Sequence, residues 1–160
     1  MKILLPIVFY LLYWGACWLG TGTDRKNLLG LRSYPDAVQA QVRAHMDAPK
    51  EKSMPAVLLS NLLLFTVVFS ALGLIFRRAL GLDSYLDAFW YFLAFGEGLG
   101  LFDLLVIDLL WWRNTKRIRF SFLPEKQPYQ APAKHLGSFW RGIPLFAAIA
   151  ALTAAVVSLL

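Results

Sequence analysis

The chain has 160 residues, 58% of them hydrophobic and 15% aromatic, and its charged residues amount to 16%, against about 25% in soluble domains. With a mean hydropathy of +0.55, this composition excludes an ordinary soluble globular domain and points to an integral membrane protein. The formal charge of +6 has no separate domain to present it to a nucleic acid, and one cysteine excludes an internal disulfide.

A hydrocarbon core about 30 Å thick takes roughly 20 apolar residues at about 1.5 Å each. Four stretches meet that length: residues 3–23, 53–76, 84–112 and 142–160. The expected fold is all-α, a polytopic bundle of four transmembrane helices forming a single membrane domain over residues 1–160. In the first stretch, Lys2 before an apolar run and Ala16-Cys17 sketch a lipoprotein leader. Trp14 stands where such a leader needs a small or aliphatic side chain, and no A-x-A site follows, so the stretch reads as a span. Cys17 reads as a small packing residue. The following GTGTDRKN lacks the G-x-x-x-x-G-K-[ST] order of a phosphate loop and reads as an exit turn.

In the loop over residues 24–52, Ser33-Tyr34-Pro35-Asp36 has the form of a capping box with proline in the first turn. Tyr34, Val38, Val42 and Met46 then recur every fourth residue, which predicts an amphipathic helix on the cytoplasmic membrane surface or beneath the bundle. The second span starts at Pro55, carries one amide at Asn61 and stops at Arg77-Arg78. The short ALGLDS turn makes spans two and three adjacent and antiparallel. Ser84 or Asp83 is placed to cap span three, and Asp83 or Asp87 to pair with Arg78. The loop over residues 113–141 holds three prolines and a period-2 patch, Ile118, Phe120 and Phe122, which predicts a short strand or an extended segment.

Lysine and arginine set the orientation. Thirteen lie in the two long loops and three, Lys2, Arg77 and Arg78, elsewhere, which places both loops in the cytoplasm and both termini outside. The second loop's Arg113, Lys116, Arg117 and Arg119, with His135 and Arg141, form a basic collar suited to anionic lipid headgroups.

The stretches KNLLGLRSYPDAVQ, FDLLVIDLLWWRNTKRIRF and KHLGSFWRGIP resemble a group of small bacterial four-span integral membrane proteins of unestablished function, some of them automatically labelled ABC transporter permeases. The resemblance runs from about Gly20 to Pro144 and implies a free-standing four-span protein. It carries no site residue, and no ATPase-coupling element supports the permease label.

Span three contains FGEGLGLFDLLVIDLLWW, with Glu97, Asp103 and Asp108 in an apolar setting where each ionised side chain costs about 2.5–3.5 kcal/mol on the insertion scale. On a uniform α-helix, Glu97 and Asp108 fall within about 20° of each other and roughly 16 Å apart along the axis, while Asp103 lies about 120° from Glu97. Glu97 and Asp108 are thus expected to share a face turned to protein or water. Gly96, Gly98 and Gly100 surround Glu97 and allow close helix contact, a kink or an unwound turn. A packing role for the glycines pairs Glu97 with Asn61, Thr66 or a serine. Asp108 is expected to pair with Arg141 or Arg113, and Asp103 with a partner chain.

The leading functional reading is a transport-related membrane protein, a proton- or cation-coupled unit or accessory subunit. Its ion-coupling candidates are Glu97, Asp103, Asp108 and Asn61, with Glu97 foremost. A second reading is a structural or lipid-binding module whose acids are paired and inert. A third, less favoured, is a membrane-embedded enzyme acting on a phosphorylated lipid, which would bring Asp103 or Asp108 to His135. Four short helices leave little room for a translocation path, so transport implies a homo-oligomer or a partner membrane subunit. The histidines show no metal-ligand spacing and none lies in a span, so neither a metal nor another cofactor is expected.

Overall fold

The computed structural model describes residues 1–50 and 52–160. Six α-helices form among them: α1 (Leu4–Leu19), α2 (Asp24–Leu29), α3 (Asp36–His45), α4 (Met54–Leu80), α5 (Tyr85–Phe102) and α6 (Ala133–Leu159). A ten-residue π-helical stretch, Asp103–Trp112, continues α5 without a break, and short 3-10 turns occupy Leu31–Ser33 and Gln127–Tyr129. No β-strand forms among the described residues. The alternation at Ile118, Phe120 and Phe122 ends in a turn closed by one bridge between Phe120 and Leu123.

Local chemistry sets the helix ends. Ser53 Oγ accepts from the Ala56 amide at 3.4 Å to start α4, with Pro55 in the first turn. The helix stops at Gly81, whose φ of 62° is the left-handed conformation glycine adopts without a Cβ clash. The Gly81 and Leu82 amides then return to the carbonyls of Arg78 and Arg77 at 3.2 and 3.1 Å. Ser84 and Asp87 start α5 reciprocally: the Asp87 amide donates to Ser84 Oγ at 3.2 Å, and Asp87 Oδ2 accepts from the Ser84 amide at 3.0 Å. Of the two capping residues expected there, Ser84 is the one used.

Two stretches, Met54–Leu80 and Gln127–Leu159, are long and apolar enough to cross a membrane, with hydropathies of 2.3 and 2.2. A core helix of a soluble protein would be mostly buried, whereas only 17% and 33% of these apolar windows are. Leu64, Val67 and Ile75 of α4 are instead exposed. The first expected span contracts to the 16 residues of α1, about 24 Å of helix. The third is divided between the 18 residues of α5 and the ten of the π stretch.

The chain divides into two compact units. The first comprises Met1–Phe9, Lys52–Leu101 and Trp140–Leu160. Its centre is aromatic: Phe69 stacks on Phe92 and Phe95 with ring centroids 5.6 and 4.8 Å apart, and Phe9 meets Phe69 and Phe95 edge-on. Glycine brings its helices together. A Cβ on Gly73 would lie 2.5 Å from Val157, and one on Gly96 would lie 2.7 Å from Phe146, so a side chain at either position would force its neighbour to move.

The second unit comprises Tyr10–Glu51 and Phe102–Phe139. Leu31, Tyr34, Val38 and Val42 from the first loop bury themselves against Trp112, Ile118, Phe120, Leu123 and Tyr129. The stripe predicted at residues 34–46 therefore exists, but its central Val38 and Val42 are fully buried in protein rather than spread on lipid. The apolar face of the expected amphipathic helix thus packs on protein of this core, not on lipid. Two buried hydroxyls fix the core: Tyr34 OH donates to the Ile118 carbonyl at 2.8 Å, and Tyr129 OH donates to the Leu123 carbonyl at 2.9 Å while accepting from the Phe120 amide at 3.1 Å. Burial pushes the Tyr34 phenol above its ordinary pKa, and the neighbouring Tyr129 and Asp24 push it the same way. Burial raises Tyr129 as well.

Two further local expectations change. Ser33 lies in a 3-10 turn and Pro35 leads into α3 with no side-chain cap. Gln39 Nε2 instead ties down the Tyr34 and Arg32 carbonyls at 2.8 and 3.2 Å. The GTGTDRKN stretch is a helix start rather than a plain turn: Thr23 caps α2 by accepting from the Lys26 amide at 3.3 Å.

Candidate functional site: an acid–histidine cavity

The π winding at Asp103–Trp112 decides which acids meet. In an α-helix, residues five apart point about 140° away from each other. A π-helix bonds residue i to i+5, so residues five apart stack on one face. Asp103 and Asp108 are five apart, and the stretch closes with a bond of that type from the Arg113 amide to the Asp108 carbonyl at 3.3 Å. A shared face for Glu97 and Asp108 presupposed uniform α winding between them. The change at Asp103 removes that premise and aligns Asp103 with Asp108 instead.

Both aspartates line a cavity of about 310 Å³ in the second unit, together with His135 from α6. His135 is 4% exposed, and its Nδ1 lies 2.9 Å from Asp108 Oδ2. The Trp112 ring packs against the imidazole with centroids 4.8 Å apart, and Trp112 is itself held by Tyr34 at 4.9 Å. The histidine is thereby fixed by the core that the two long loops form. In the neutral imidazole, a proton on Nδ1 directed at the carboxylate leaves the lone pair on Nε2. That nitrogen is buried and has no hydrogen-bond partner among the described residues. Asp103 is half-buried and has neither a hydrogen bond nor an ion pair there.

Tyr13 and Cys17 of α1 line the same cavity, as do Lys26 and Lys134. The lysines are engaged outward: Lys134 Nζ lies 2.7 Å from Asp36 Oδ1, and Lys26 Nζ donates to the Leu19 carbonyl at 2.9 Å in an exposed position. None of these four was singled out as a site residue in the sequence, because α1, α2 and the first turn of α6 carry no recognisable motif. Among the described residues no group of three His, Cys, Asp or Glu side chains converges to hold a metal ion.

None of the remaining candidates lines this cavity. Glu97 and Asn61 belong to the first unit, both half-buried and neither with a hydrogen bond among the described residues. α5 runs unbroken through Glu97, so the glycines there do not open an unwound turn, and Gly96 is a packing position against Phe146. In the basic collar, the Arg117 guanidinium stacks 3.9 Å over the Trp18 ring and donates to the Trp18 and Thr21 carbonyls at 3.1 and 3.0 Å. Arg119 donates to the Pro124 carbonyl at 3.0 Å. Arg117 and Arg119 thus pin loops. The Arg113 carbonyl accepts from Gln130 at 2.7 Å while its Nε is buried without a partner, and Lys116 and Arg141 are exposed. Asp108, expected beside Arg141 or Arg113, has His135 as its described partner.

Comparison with family models, with curated proteins and with solved structures gives no match.

Proposed function

We propose that this chain is a multi-pass membrane protein of four spans, with both long loops cytoplasmic and both termini outside. We further propose that it is transport-related and exchanges a proton or small cation at the Asp103–Asp108–His135 cavity, either as an independent unit or as an accessory subunit. The observation that carries this reading is the aligned pair of aspartates, one of them 2.9 Å from a buried histidine. Ionisable groups set among apolar helices are costly and mark ion or proton pathways, and π stretches are frequent at functional sites. Exposed apolar faces on α4 and the resemblance to small four-span membrane proteins support the placement in a bilayer. The coupling role first given to Glu97 moves to Asp103 and Asp108, because these two line a cavity together with a buried histidine.

Carboxyl infrared difference spectroscopy of the full chain in lipid tests this reading. Stepping the pH should produce carboxyl bands that disappear in Asp103→Asn or Asp108→Asn and move on adding Na⁺ or K⁺. A spectrum indifferent to both pH and cation would sink the reading and leave the acids as structural pairs.

One observation favours a second reading, an enzyme acting on a phosphorylated lipid. Asp108 holds His135 through Nδ1, the arrangement in which a carboxylate orients an imidazole that works as a general base. Release of phosphate or headgroup from phospholipid vesicles by the wild type, absent in His135→Gln, would establish it over the transport reading.

A further inference from the structure

We infer that the outward stripe of α5 around Glu97 is a two-fold contact with a second copy of this chain, in which the two Glu97 side chains hydrogen-bond to each other. This inference rests on reading the chain as a four-span membrane protein, and it concerns a face that takes no part in the cavity lined by Asp103, Asp108 and His135.

Helical phase places Glu97 on the outside. With Leu86 at 0° and about 100° per residue, Glu97 falls at about 20°, Trp90 at about 40°, Leu101 at about 60° and Ala94 at about 80°. The four residues around Glu97 are all exposed, Trp90 at 63%, Leu86 at 62% and Leu101 at 48%. The buried residues of α5, Ala88, Phe92, Phe95, Gly96 and Leu99, fall between about 180° and 280°, on the opposite side of the helix. Glu97 therefore points away from the aromatic core that packs α5, and it has no hydrogen bond or ion pair among the described residues.

Lipid cannot satisfy that position. Glu97 stands thirteen residues from Ser84 and fifteen from Trp112, roughly 20 Å of helix from either end of the expected span, where an acid is expensive unless it faces protein or water. The occupant of this face must be apolar above and below one group that both donates and accepts at the depth of Glu97. A second copy meets those terms by symmetry. Both copies insert in one orientation because both carry the same basic loops, so a two-fold axis along the membrane normal sets α5 beside α5, and each residue near the axis meets its own equivalent at equal depth. A neutral carboxyl has one O–H donor and spare acceptor capacity, so two of them close a reciprocal pair. Ala94, three residues from Glu97, is the small side chain that lets the backbones approach. α5 contains no lysine or arginine, so the pair is carboxyl to carboxyl rather than an ion pair.

Association of the full chain in liposomes is measured by energy transfer between donor- and acceptor-labelled copies as lipid is added. The contact itself is mapped by oxidative cross-linking of Ala94→Cys in a Cys17→Ala background, which removes the native thiol. The inference is supported by a dimer that persists in Glu97→Gln, whose amide still donates and accepts, and weakens by about tenfold or more in Glu97→Leu. It also requires cross-linking through Ala94→Cys but not through Val67→Cys on the exposed face of α4. The cross-link is read with Glu97 in place, so it decides the matter whether or not Glu97→Leu folds. A dimer equally tight in a folded Glu97→Leu, or one cross-linked through Val67→Cys and not Ala94→Cys, overturns the inference by placing the contact elsewhere. Monomers at every dilution overturn it while leaving the four-span reading standing. Protein that alkaline carbonate strips from the liposomes overturns both.

Discussion

Two neighbourhoods of the chain each set a carboxylate in an apolar helix, and they are built in opposite ways. Around Glu97 side chains are removed: Gly96 lies so near Phe146 that a single added carbon would sit 2.7 Å from its ring, and the helix keeps ordinary α winding. Around Asp108 side chains are supplied: His135, Trp112 and Tyr34 form a chain of contacts, and the winding opens to π. The difference teaches that an acid in a membrane-type helix is not a site by virtue of its charge. What marks a site is whether the neighbours leave polar atoms and space beside it or close that space with packing.

The sharpest way to break this comparison is to remove the histidine. His135→Leu strands a carboxylate that is only 15% exposed and is expected to cost about 3 kcal/mol, read as a loss of thermal stability in detergent. A double change with Asp108→Asn should recover part of that loss, with a coupling of about 1–3 kcal/mol. Strict additivity would mean that the 2.9 Å contact contributes nothing. On the other side, Gly96→Val inserts atoms where Phe146 already stands and should cost about 2 kcal/mol while leaving the cavity's carboxyl bands unaltered. Altered bands would show that the glycine contact and the cavity are coupled.

A third change probes what holds the histidine in place. Tyr129→Phe removes a hydroxyl that both donates to Leu123 and accepts from Phe120, leaving buried backbone groups unpaired at a cost of about 1–2 kcal/mol. Because Trp112 links this core to His135, amide hydrogen exchange should quicken in the loops and at residue 135 together. Protection at residue 135 that stays unchanged would mean that the imidazole is held by Asp108 alone.

How much of this was legible follows from which signals are local. Two membrane-type helices, the cap at Ser84 and the amphipathic stripe from Tyr34 to Met46 could be read because hydropathy and periodicity act over a few turns. The stripe's partner could not: Val38 and Val42 meet Ile118 and Phe120 across some eighty residues of chain, and no local pattern announces that two loops share a core. The π winding was hidden for a related reason. Helical wheels assume about 100° per residue, and ten residues of wider turn rearranged the acids without changing their identity. Arg117 was readable as a cation, but its stacking on Trp18 depends on where α1 ends. The five-residue spacing of Asp103 and Asp108 was the one signal that could have exposed their alignment.

The smallest expected effect is the one that sharpens the comparison most. Glu97 is half-buried and breaks no described hydrogen bond or ion pair when changed. Glu97→Gln keeps the shape of the side chain in a helix packed through Gly96, so stability should move by less than about 0.5 kcal/mol. If the two neighbourhoods differ in kind, the pH-dependent carboxyl bands should also survive this change and vanish only with Asp103→Asn or Asp108→Asn. Loss of those bands in Glu97→Gln would reverse the assignment: the glycine-lined stretch would then hold the working acid, and the stacked aspartates would serve to seat His135 against the loop core.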